Sequence, residues 1–194
     1  MHGTPRRILY ASGWALVMAV AACARFAPGD LLPAVDDAAV YRAVLTAERA
    51  RGLIRPLVQR TSEPVVAFPG EGVAQRLAMY AATRPALDAT TVRSFLALNG
   101  QVAAIPDLGD TTVSWVSREE WRAWGYGWDE YLALDRDSAG VIVFSRVGYS
   151  RDGTQALVYV TRPCPPCGGW SDYVLLARTG GVWTVTARWN VWLT

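Results

Sequence analysis

The last third of the chain, Val141 to Trp192, constrains the fold most: it reads as four strands joined by three turns. Gly140 to Tyr149 is rich in β-branched and aromatic residues, which suit a pleated, half-buried surface. Ser150-Arg151-Asp152-Gly153 follows, and Asp-Gly signals a hairpin because such turns need positive φ. The second strand is expected over Gln155–Thr161 and the third over Trp170–Arg178. After a glycine turn at Thr179-Gly180-Gly181, the fourth runs Val182–Trp192. Apolar residues at 183, 185, 187, 189 and 191 alternate with mostly polar ones, the period of a strand with one wet face. The middle strands are apolar on both faces, so something must cover the second face.

Ser145-Arg146-Val147-Gly148-Tyr149, Gln155 to Val160, the Cys/Gly-rich turn, Tyr173-Val174-Leu175-Leu176 and Gly181-Val182-Trp183 together form a recognisable pattern. It resembles a group of uncharacterised bacterial secreted or lipid-anchored proteins with an S-R-V-G-F/Y strand and a closing G-x-W strand. The resemblance covers residues 128–194, and Tyr149 stands where Phe is commoner. It implies a shared fold unit and no catalytic residue.

Towards the N-terminus, Arg6 and Arg7 precede an uncharged, mostly apolar run from Ile8 to Ala22. That run falls short of the roughly 20 residues a membrane-spanning helix needs. A basic start, a short apolar core and small residues at its end predict a secretory signal over residues 1–22. The run closes Val20-Ala21-Ala22-Cys23, which resembles the lipobox of bacterial lipoproteins and implies lipidation of Cys23. Two or more acyl chains anchor stably where one is marginal. Residues 23–34 then read as a lipidated Cys and tether, and residues 35–194 as a single domain. Ala24, rather than Asp, after the Cys points to the outer membrane, facing the periplasm, if the cell is Gram-negative.

Between tether and sheet, Asp36-Asp37 opens a helix reaching about Arg51, with Tyr41, Val44 and Leu45 on one stripe. Residues 53–63 are ambiguous, and Pro56 argues against a long helix there. Val65–Phe68 reads as a short strand, Val73–Thr83 as one or two helical turns, and Thr111–Val116 as a strand. Asp88 is a natural N-cap for a helix over Ala89–Leu98. Ser117-Arg118-Glu119-Glu120 is a capping box that starts another, and Trp128–Leu134 reads as a further turn of helix.

The only histidine is His2, in the expected signal. A mature chain without histidine has no Ser-His-Asp or Cys-His catalysis and no His-ligated zinc. The acid pairs Glu119/Glu120, Asp129/Glu130 and Asp135/Asp137 are adjacent or nearly so. Paired glycosidase carboxylates face each other across about 5 Å or more, so these read as solvated faces. Cys164-Pro-Pro-Cys167 admits a redox, a metal or a structural reading. It lies between strands, lacks a helix to lower a thiol pKa and has no second Cys pair, so a disulfide is the expectation. All 19 basic residues are Arg, net charge is +2, and no Arg cluster interleaves with aromatics, so no nucleic-acid partner is expected. Among the nine Trp, Trp121, Trp124, Trp128 and Trp189 are candidates for a ligand platform, although such residues more often fill a core.

The expectation is α+β: helices packed on one face of a C-terminal four-stranded antiparallel sheet, in a nuclear-transport-factor-like or cystatin-like manner. The expected function is a lipid-anchored, non-enzymatic envelope protein that binds a partner or small ligand. It would use no cofactor or metal and would contact the membrane through its anchor. The alternative is a carboxylate-dependent hydrolase of envelope polysaccharide.

Overall fold

The computed structural model describes residues 36–52, 55–65, 72–83, 87–123, 140–164 and 168–193, all within the unit Leu32–Thr194. The described elements are α1 (Asp37–Ala50), β1 (Leu57–Gln59), α2 (Val73–Thr83), α3 (Ala89–Leu98), β2 (Ser114–Val116) and α4 (Arg118–Ala123). The C-terminal part supplies β3 (Val141–Phe144), β4 (Gly148–Tyr149), β5 (Gln155–Cys164), β6 (Gly168–Thr179) and β7 (Val182–Leu193). The fold is α+β.

Local signals place the helices. Asp36 caps α1 by accepting from the Ala39 amide at 3.0 Å. Asp88 caps α3 by accepting from the Thr90 amide at 2.6 Å. At α4, Glu120 accepts from the Ser117 amide at 2.7 Å and Ser117 Oγ accepts from the Glu120 amide at 3.1 Å, a reciprocal capping box. The segment expected to give one or two helical turns is α2, an 11-residue helix.

The sheet corrects two expectations. It has seven strands, not four, in the order β2-β1-β3-β5-β6-β7, with β4 also on β5. It is mixed: β1 pairs parallel with both β2 and β3, and the C-terminal pairs are antiparallel. The ambiguous segment after Pro56 supplies β1, a strand too short to show a period. Val65 lies outside any strand, and the rest of that expected strand, like the helix expected from Trp128, lies outside the described residues.

The second correction concerns the helices, which cover both faces. Alternation along β5 and β6 divides the core. Val158, Val160, Val174 and Leu176 pack with Val40, Tyr41, Val44 and Leu45 of α1. Leu157, Tyr159, Tyr173 and Leu175 pack with Leu77 of α2 and Phe95 of α3. Val141 and Val143 carry the second face on to Trp121 of α4. Strands apolar on both faces need this second cover, and a one-sided arrangement leaves it wet.

The expected first strand is interrupted between β3 and β4. The Tyr159 amide donates to Ser145 Oγ at 2.8 Å rather than to a strand carbonyl. The Ser145 carbonyl is thereby released to accept from Tyr41 Oη at 3.0 Å. Phe144 pairs with Val160 but Gly148 pairs with Leu157, so one extra residue sits in the interval.

Strand β7 has its own bulge. Leu176 pairs with Val185 and Leu175 with Ala187, leaving Thr186 unpaired. The faces therefore swap there: Trp183 and Val185 lie on the α1 side, and Ala187, Trp189 and Val191 on the α2 side. The unbroken period of two over 183–191 thus serves two cores.

Candidate functional site

Two features on the α1 side of the sheet can carry function. The first is a buried charge cluster where the end of α1 meets β6 and β7. Glu48 and Asp172 are 2% and 5% exposed. Arg188 Nη1 lies 2.6 Å from Glu48 Oε1 and 3.6 Å from Asp172 Oδ2. Arg51 Nη1 stands 3.7 Å from each carboxylate. Asn190 Nδ2 donates to the other Asp172 oxygen at 3.1 Å. Trp170 is flanked by the guanidinium groups of Arg51 and Arg162, 5.6 and 5.4 Å from its ring centre. Two acids thus meet two bases, so the buried charge is balanced.

The second feature is a groove of about 620 Å³ between α1 and the start of β7. One wall is Ala39, Arg42, Ala43, Thr46, Ala47 and Ala50, and the other is residues 181–185. α1 buries Val40, Tyr41, Val44 and Leu45 in the core, so its alanines fall on the flank beside the sheet edge. Small side chains there leave the space open. Trp183 and Val185 form the apolar floor, and Arg42 is the one charged lining residue. The lining contains no carboxylate, cysteine or histidine.

Around the N-terminal end of α1, burial holds the Asp37 carboxyl above its usual value, against the Tyr149 hydroxyl that favours its charge. Tyr149 Oη donates to Asp37 Oδ1 at 2.6 Å. Burial likewise raises the phenols of Tyr41 and Tyr149, which remain neutral donors.

Trp189 is 6% exposed and stacks on Tyr80, ring centres 5.5 Å apart. Trp121 packs instead against Val116, Val141 and Val143, and its indole N–H donates to Gln59 Oε1. These two platform candidates sit in separate clusters. Trp124 and Trp128 lie outside the described residues, as do Cys23 and Cys167. Cys164 ends β5, pairing along the backbone with Gly168, and its side chain also lies outside them. The acids Glu119 and Glu120 are exposed on α4. Among the described residues no group of three or more acids, cysteines or histidines is placed to hold a metal. No described helix is long and apolar enough to cross a membrane.

Sequence reasoning missed both the charge cluster and the groove. Glu48 and Arg188 are 140 positions apart, and nothing local pairs them. The groove's one sequence signal was Ala39, Ala43 and Ala47 at helical spacing, opposite a final strand whose sole charge is Arg188. Fold and site define an α+β domain with helices on both faces and an open groove at one sheet edge. Compared with known proteins, the chain matches no family profile, no curated protein and no solved structure.

Proposed function

We propose that the chain is a lipid-anchored envelope protein that binds a partner or small ligand without catalysis, using the α1–β7 groove. The lining of that groove carries this reading: an apolar floor, one arginine and no group able to act as nucleophile-activating base. Anchoring rests on Val20-Ala21-Ala22-Cys23. The nuclear-transport-factor-like or cystatin-like arrangement is kept as a fold-level analogy only.

One observation favours the hydrolase alternative. Glu48 and Asp172 both approach Arg188 Nη1, an acid pair from different elements. Their burial and arginine partners argue for a structural role. Purified protein incubated with cell-wall polysaccharide should release no new reducing ends. Release that disappears in Asp172→Asn would establish the hydrolase.

The binding reading is tested with Nile red, whose emission rises in apolar sites. Wild type should enhance it, and Ala47→Trp, which fills the groove, should not. Equal enhancement by both proteins, or none by either, would remove the groove as the site. In cells, labelled fatty acid should mark wild type and not Cys23→Ala.

A further inference from the structure

We propose that the groove takes an extended acidic and apolar segment of a partner protein, which adds as a strand to the open side of β7. This rests on the binding reading above and names the class of partner.

The backbone argument comes first. β7 ends the sheet order, and among the described residues no strand pairs with its outer side. Gly180 and Gly181 both have positive φ, 58° and 84°, as a two-residue hairpin turn requires. Such a turn makes Thr179 and Val182 a hydrogen-bonded pair, and the next pair, Arg178 and Trp183, a non-bonded one. In agreement, the Arg178 amide points the other way and donates to the Thr154 carbonyl at 2.7 Å. Trp183 and, two residues on, Val185 therefore turn N–H and C=O outward beside the groove. An incoming strand can satisfy both while its inward side chains enter the space beside Ala43 and Ala47.

Proline and charge, two of the usual protections of an edge, are missing over this stretch, and the bulge at Thr186 falls beyond Val185. From Val182 to Ala187 there is no proline and no charge, and Val182 is 66% exposed. Further along, α2 closes the edge: Arg76 Nη1 donates to the Val191 carbonyl at 3.2 Å and Tyr80 Oη to the Asn190 carbonyl at 3.4 Å. The open stretch thus coincides with the groove.

Charge selects the occupant. Arg42 lines the groove, and exposed Arg178 lies against Trp183, its guanidinium carbon 5.9 Å from the ring centre. The nearby Asp36 is paired with Arg42 at 3.5 Å, and no carboxylate lines the groove. A second copy of this chain fits poorly, because its β7 carries Arg188 and no acid. That strand would offer Arg42 and Arg178 no opposite charge. A partner strand with acidic residues flanking its apolar ones meets both requirements.

The test uses the full chain and a fluorescent peptide of about eight alternating Glu and Val residues, the length of a short strand. Anisotropy should report binding that weakens as salt rises. Hydrogen exchange should show new protection at the Trp183 and Val185 amides. N-methylating alternate peptide residues should weaken binding about tenfold, since several backbone hydrogen bonds are lost together. Val185→Pro removes one outward N–H, a change tolerated at an edge, and should weaken binding about threefold or more. Joint Arg42→Glu and Arg178→Glu should transfer preference to a peptide of the same length with Lys in place of Glu. Equal binding of the N-methylated peptide, or of Glu and Lys peptides to wild type, would overturn the proposal. If Nile red enters the groove and neither peptide displaces it, the groove reading stands and the strand partner fails. If neither dye nor peptide binds, both fall.

Discussion

At the scale of single residues, Gly148 marks a close approach of the β4 backbone to α3. A Cβ built there would fall 2.4 Å from both Cβ and the backbone N of Phe95 on α3. Neighbouring hydrogen bonds fix that approach. Ser94 Oγ accepts from the Tyr149 amide at 3.1 Å. Asn99 accepts from the Arg146 amide at 2.9 Å and donates to its carbonyl at 3.2 Å. Gly148→Ala should therefore cost about 3 kcal/mol, the upper part of the range for overpacking. A shift of the urea midpoint measures it. Phe95→Ala should not restore stability, because backbone atoms of Phe95 stand equally close. A midpoint within error of wild type would mean α3 can slide away from β4.

At the scale of elements, the bulge at Thr186 decides which core each half of β7 serves. The bulge holds Thr186 as an extra residue, so deleting it lets the ladder run straight with every pairing kept, Val185 opposite Leu176 and Ala187 opposite Leu175. Arg188 then stays opposite Val174 and Trp189 opposite Tyr173. The deletion should therefore keep cooperative thermal unfolding by circular dichroism. Thr186→Ala keeps the residue count and loses only a 3.3 Å bond from Oγ1 to the Leu175 carbonyl, so about 1 kcal/mol or less is expected. Loss of cooperative unfolding in the deletion would refute the register argument. The same bulge explains what the sequence could not disclose. The caps at Asp36, Asp88 and Ser117 were legible because they act over three residues. Apolar period and Asp-Gly or Gly-Gly turns placed β5, β6 and β7. A bulge leaves no trace in the period, so the two faces of β7 read as one. β1 has three residues between parallel neighbours, and only its partners make it a strand. The groove was illegible for a similar reason: it lies between a helix flank and a strand edge, neither of which is a core-facing pattern.

At the scale of the whole molecule, the charge cluster ties the first described helix to the last hairpin. Glu48 and Arg51 come from the end of α1, Asp172 from β6 and Arg188 from β7. Hydrophobic contact alone would let α1 slide along its apolar stripe, because packing there is non-directional. A guanidinium set between two buried carboxylates favours one position. Removing Arg188 leaves Glu48, 2% exposed, with only the 3.7 Å contact of a half-exposed Arg51. Arg188→Met should thus destabilise by about 3–5 kcal/mol, the penalty for stranding a buried charge rather than the net value of the pair. Adding Glu48→Met should recover most of that loss, since Asp172 keeps Arg51 at 3.7 Å and Asn190 at 3.1 Å. Urea unfolding of both single variants and the double variant closes the cycle. A coupling near zero would mean that water already screens the cluster, and α1 would then owe its position to the apolar stripe and to the Tyr41–Ser145 and Tyr149–Asp37 hydrogen bonds.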